Sequence, residues 1–86
     1  MASYRIEWKQ SAKKEIRKLD KTVIPKILEA VAALAQDPRP RSSKKLRGTD
    51  HTYRIRIGDY RIVYSVFPNV LTIEIVKVGH RKDIYR

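Results

Sequence analysis

Tyr53-Arg54-Ile55-Arg56-Ile57-Gly58-Asp59-Tyr60-Arg61-Ile62-Val63-Tyr64-Ser65-Val66 decides the fold. Aromatic and β-branched residues alternate with arginines on either side of Gly58-Asp59, the period-two pattern of two strands joined by a two-residue hairpin turn with glycine at its first centre. A turn of that length sets the register: 57 faces 60, 56 faces 61, 55 faces 62 and 53 faces 64. The tyrosines and isoleucines then share a core face, and Arg54, Arg56 and Arg61 share the other. Like charges directly opposite each other destabilise a sheet, so Arg56 across from Arg61 points to a role outside folding, relieved by a bound anion.

C-terminal to the hairpin, Pro68-Asn69 predicts a second two-residue turn. In that register Leu71, Ile73 and Ile75 continue the core face, Thr72, Glu74 and Val76 join the arginine face, and Glu74 lies near Arg54. N-terminal to it, Tyr4, Ile6 and Trp8 alternate with charged residues and predict a strand over 3–8. Trp8, Ala12, Ile16 and Leu19 predict a short helix, apolar inside and basic outside. A second helix is expected from a cap at Asp20 or Thr22 to Asp37, with Pro25 in its first turn and Val23, Ile24, Ile27, Leu28, Val31 and Leu34 on a wide apolar face. The stretch 38–48 has no periodicity and reads as a mobile basic loop, and the chain closes on a short polar tail from Val78. The expected fold is one α+β domain over 1–86, with two N-terminal helices packed on a mainly antiparallel sheet of about four strands.

Composition narrows the partners. The 86 residues hold 20 Lys and Arg against 9 Asp and Glu, a net charge of +11, which attracts polyanions. Residues 39–61 carry eight basic and two acidic side chains, against eight and five in 1–38, so a polyanion is expected on the middle of the chain. With no cysteine there is no disulfide framework and no thiolate chemistry. Met1–Gln10 mixes charges with apolar residues and is too polar for a signal segment, and no apolar run approaches the ~20 residues that span a bilayer. A cytoplasmic location with no membrane partner is expected.

The candidate chemistry is arginine chemistry. No carboxylate pair, Ser/His/Asp set, metal-ligand cluster or phosphate-cradling glycine loop occurs, and neither a metal nor a cofactor is expected. Positioned cations favour phosphoryl transfer, where the transition state spreads negative charge over non-bridging oxygens. His51 and His80 are each candidate general acids or bases, with His80 favoured because it lies in the tail beside Arg81. Tyr85 either stacks on a base and moves a proton or pins the tail by packing.

Lys45-Leu-Arg-Gly48, the 53–64 hairpin and Val78-Gly-His-Arg-Lys-Asp-Ile-Tyr85, behind one strand and two helices, resemble the RelE toxins of the RelE/ParE superfamily of toxin-antitoxin systems. The resemblance implies a ribosome-dependent endoribonuclease, an mRNA interferase, that cuts the A-site codon by attack of the message's own 2′-hydroxyl without a metal. It aligns Arg61, Arg81 and Tyr85 with catalytic positions and Arg54 and Arg56 with two basic positions on the second strand; Arg54, Arg56, Lys45, Arg47 and His80 are the expected RNA contacts. Arginines at 54 and 56 depart from the lysines of well-studied relatives, and a guanidinium does not give up its proton. The base is therefore Tyr85 or His80, or the mechanism rests on in-line geometry and electrostatics. A RelB-like antitoxin, in a toxin-antitoxin hetero-oligomer, and the ribosome with mRNA are the implied partners. The alternatives are a ParE-like inhibitor of DNA gyrase and a nucleic-acid-binding module without activity.

Overall fold

The computed structural model describes residues 3–84, with side chains through Lys82. Five strands form one sheet: β1 (Arg5–Trp8), β2 (Lys44–Lys45), β3 (Thr52–Ile57), β4 (Tyr60–Phe67) and β5 (Thr72–His80), in the order β1-β5-β4-β3-β2. β1 runs parallel to β5 and all other pairs are antiparallel. Helices α1 (Gln10–Arg17) and α2 (Ile24–Leu34) follow β1, and a single helical turn, α3 (Arg81–Ile84), follows β5. The fifth strand, β2, is two residues long and lies in the stretch expected to be loop.

The β3–β4 hairpin has the expected register, Ile57 with Tyr60, Arg56 with Arg61, Ile55 with Ile62 and Tyr53 with Tyr64. Gly58 sits at φ 59°, the left-handed conformation that glycine adopts without a Cβ penalty. The inner face buries Ile55, Ile62, Tyr64, Val66, Ile73, Ile75 and Val78 against Ala12, Ile27, Val31 and Leu34 of the helices. Each large side chain so buried contributes roughly 1.5–3 kcal/mol.

The helices are shorter than their apolar patterns. Trp8 belongs to β1, and α2 ends at Leu34, where the N–H groups of Gln36 and Asp37 both close back on the Ala33 carbonyl. Asp20 does not cap α2. Its carboxylate accepts the backbone N–H and the hydroxyl of Thr22, both at 2.9 Å, shaping the turn before the helix and lowering its own pKa. Leu28, expected on the apolar face, is 47% exposed.

Beyond β4 the second turn differs from the expectation. Pro68–Val70 form a 3₁₀ turn and Leu71 takes φ 47°, so four residues connect Phe67 to Thr72 instead of two. Leu71 is 43% exposed and outside the core. A loop longer by two keeps the strand's parity, so Ile73 and Ile75 still face inward while Glu74 pairs with Ser65 and not near Arg54. The tail is likewise not hung from Val78, since β5 continues to His80.

Tyr64 locks the loop over the sheet. Its buried hydroxyl donates to the Pro38 carbonyl at 2.8 Å, and its ring stacks on Tyr53 at 5.9 Å. The basic stretch is thus tethered at Pro38, and again where the Leu46 N–H reaches the Thr52 carbonyl. Burial pushes the Tyr64 phenol up from 10.0 to about 12. A folded pKa above the unfolded one favours the protonated native state, so this contribution is complete below pH 10 and is lost as pH rises through about 12. Tyr64→Phe is expected to lower stability by about 1–2 kcal/mol at neutral pH, because the Pro38 carbonyl loses its donor. It should also flatten the fall in stability on the alkaline side, as measured by urea denaturation at pH 7 to 11.5.

Candidate nucleic-acid interface

The face of the sheet away from α1 and α2 is where the arginines stand. Arg56 and Arg61 are directly paired across β3 and β4, and Arg54 pairs with Val63 one step along the same face. Arg61 is only 5% exposed because β4 is the central strand. Its Nη1 points at the carbonyls of Gly58 and Tyr60, each 3.4 Å away. Its pKa is pushed below the ordinary arginine value, first by burial and then by Arg56, Arg54 and Arg81, with Asp59 acting the other way. Four guanidiniums therefore share one field, and a guanidinium stays charged through such a shift. Concentrated positive charge of this kind attracts phosphate.

Arg81 reaches the cluster because the chain is pinned there: its backbone N–H donates to the Asp59 carbonyl at 2.8 Å, fastening the start of α3 to the β3–β4 turn. A backbone bond does not depend on the side chain, so the guanidinium is left exposed for other work. His80 ends β5 opposite Tyr60, with its ring edge-on to that tyrosine at 5.6 Å. The Lys82 N–H donates to His80 Nδ1 at 3.2 Å, so the neutral ring carries its proton on Nε2. His51 lies at the far end of the sheet, against Phe67 at 4.9 Å, away from the arginines.

Two other expected residues lie apart from the cluster. Lys45 pairs with Tyr53 and so shares the register position of the core-side residues, whereas its neighbour Lys44 pairs with Arg54. Arg47 is exposed in the turn before Gly48. Tyr85 lies outside the described residues. One structural partner was missed entirely: Glu15 of α1 accepts the Val78 N–H at 2.9 Å, where β1 has ended and β5 has an unpaired edge. A cavity of about 230 Å³ lies between α2 and β3, lined by Ala33, Leu34, Pro40 and Ile57. The described residues contain no group of three or more His, Cys, Asp or Glu that could hold a metal, and no described helix is long and apolar enough to cross a membrane.

A small α+β domain with one helix-covered face and one arginine face carries the charge that attracts a polyanion. Comparison with known proteins narrows this. Residues 6–85 match the family described as the ParE toxin of the type II toxin-antitoxin system parDE. A putative RelE-like toxin protein of Escherichia coli is 33% identical over 86 residues, covering 95% of this chain and 90% of that protein. The mRNA interferase toxin RelE of Escherichia coli K12 is 30% identical over 82 residues, covering 93% and 85%. The toxin in the archaeal RelE–RelB complex from Pyrococcus horikoshii superposes with a TM-score of 0.82 at 34% identity, covering 94% and 98%. The chain belongs to the RelE/ParE superfamily of type II toxins.

Proposed function

We propose that this chain is a ribosome-dependent endoribonuclease, the toxin of a toxin-antitoxin pair, that cuts mRNA in the A-site codon. The observation that carries the reading is the nearly buried Arg61, directly across from Arg56 and one step from Arg54 on the same face, with Arg81 fastened at the hairpin turn beside them. In the reaction the 2′-oxygen of one nucleotide bonds to the adjacent phosphorus and the P–O5′ bond breaks. The products are a 2′,3′-cyclic phosphate and a 5′-hydroxyl. The nucleophile comes from the substrate, so the protein's task is to hold an in-line geometry and to stabilise the charge that builds on the non-bridging oxygens. No metal or cofactor is required for that task.

Arg61 and Arg81 are assigned to the scissile phosphate, and Arg54 and Arg56 to the backbone beside it. Lys45 on the edge strand β2 and Arg47 in the turn before Gly48 contact RNA beside the arginine cluster. His80 donates a hydrogen bond from Nε2–H to the departing 5′-oxygen, which takes its proton from solvent, and Tyr85 orients the base or takes the 2′-proton. A RelB-like antitoxin is the protein partner, in a toxin-antitoxin hetero-oligomer, and the ribosome presents the message. The action is cytoplasmic. Complexes of relatives with RelB support the pairing, as in the Pyrococcus horikoshii RelE–RelB structure.

Purified protein added to cell-free translation, with message ends mapped by primer extension, tests the reading. New ends inside codons, absent on naked mRNA, are expected. The ParE description of the matched family favours gyrase inhibition as the second reading. Intact message beside loss of gyrase supercoiling would establish that one instead. Binding itself is expected to be steeply salt-dependent. If about six phosphates of a single strand are neutralised, log K against log salt should fall with a slope near −4, read by fluorescence anisotropy.

A further inference from the structure

β5 carries a β-bulge that changes which residues face the arginines. Tyr64 pairs with Ile75 but Val63 pairs with Lys77, so Val76 is an extra residue set against the partner strand. From there Val78 pairs with Ile62 and is 2% exposed in the core, while Lys77 is exposed on the open face. Strict alternation from Ile75 would have turned Lys77 inward and Val78 outward. Bulges commonly re-aim a side chain beside a functional site, and here the re-aimed side chain is a cation next to a rank of cations.

The register sorts the open face into rows across the strands. Arg56, Arg61 and Gly79 form one row. Lys44, Arg54, Val63 and Lys77 form the next, and Thr52, Ser65, Glu74 and Glu7 the one after. Lys77 is a diagonal neighbour of Arg61, about 7–8 Å away along the face and within reach of two long side chains. Neighbouring strands lie ~4.8 Å apart, so the second row spreads its cations over three strand spacings, roughly 14 Å. The third row brings two carboxylates side by side on β5 and β1, and these repel a polyanion that follows the strand direction. Among the described residues Lys77 forms no ion pair, and the one pair on this face joins Arg5 to Glu7 at 3.3 Å.

We propose that Lys77 is an RNA-backbone contact, and that Lys44, Arg54 and Lys77 form a track across the sheet, at right angles to its strands, for the nucleotides flanking the scissile phosphate. The proposal rests on the RNA-cleaving reading above. In it the bulge serves the site as well as the core, since the same extra residue buries Val78 and delivers Lys77 to the substrate. Lys77 binds and aligns the strand, and the chemical step belongs to the arginines.

The test compares Lys77→Ala and Lys77→Arg with the parent in two measurements: binding of a single-stranded RNA oligonucleotide against salt, and single-turnover cleavage of message on programmed ribosomes. For Lys77→Ala the expected results are roughly fivefold weaker binding and a salt slope shallower by about 0.7. Half-saturation should rise while the maximal rate stays within about twofold. Lys77→Arg should restore both, and the thermal midpoint should not move. Unchanged RNA binding and half-saturation in Lys77→Ala, with the parent still cutting, would overturn the track and leave the nuclease reading standing. A collapse of the maximal rate at unchanged half-saturation would also overturn it, by placing Lys77 in the chemical step. A parent that cuts no message in the same reactions would overturn the nuclease reading itself.

Discussion

Arg61→Ala is expected to lower cleavage of ribosome-bound message by about 10²–10³-fold, the loss that follows removal of one well-placed donor to a developing oxyanion. Arg61 is 5% exposed and held among Arg54, Arg56 and Arg81, so its guanidinium is fixed before substrate arrives and little reorganisation accompanies the reaction. The same position weakens the free protein, because burial and three like charges both act against the guanidinium. Two results should therefore go together. The parent's thermal midpoint should rise on adding sulfate or phosphate, which settle among the guanidiniums, and the rise should be smaller in Arg61→Ala. Arg61→Lys should restore little of the rate, since an ammonium lacks the planar fork that grips two phosphate oxygens. Rates are read under single-turnover conditions and midpoints by thermal denaturation at matched ionic strength.

Arg81→Ala should lower the same rate by about 10²-fold while leaving the fold intact. The tail is fastened to the hairpin by the bond from the residue-81 N–H to the Asp59 carbonyl, and alanine keeps that bond. Arg81 is exposed, and surface substitutions of this kind change stability by about 0.5 kcal/mol or less. Arg81→Ala thus separates guanidinium from scaffold more cleanly than any change at Arg61. A rate within twofold of the parent would remove Arg81 from the chemistry and leave it a surface charge. Arg81→Pro would delete the anchoring donor as well, and a larger loss there than in Arg81→Ala would measure what tail placement contributes.

The β3–β4 hairpin was legible because three features agree: strict alternation, a two-residue turn and glycine at its first centre. Together they placed Arg54, Arg56 and Arg61 on one face from sequence alone. The second turn was not legible because Leu71 takes a left-handed conformation that a bulky residue rarely adopts, and nothing local announces it. Its four residues still kept parity, so the core assignment of Ile73 and Ile75 survived the wrong loop length. The bulge did leave a trace. Apolar residues fall at 73 and 75 and then at 76 and 78, and that phase change marks the extra residue and the turning of Lys77 outward. A two-residue strand is too short to show a period, so only the pairing of Lys44 with Arg54 and of Lys45 with Tyr53 reveals which lysine lies in register with the arginines. The bonds from Tyr64 to Pro38 and from Val78 to Glu15 link distant parts of the chain, and no local pattern carries them.

The most direct test of metal-free transesterification by an arginine cluster is made on the substrate. Once the cut in a defined A-site codon has been mapped with the parent protein, the message is remade with hydrogen in place of the single 2′-hydroxyl on the 5′ side of that bond. Cleavage at that bond should disappear, and the unmodified message should yield a 2′,3′-cyclic phosphate and a 5′-hydroxyl. Persistent cleavage at the same bond of the 2′-deoxy message would contradict the account, because the nucleophile would then have to come from water or the protein.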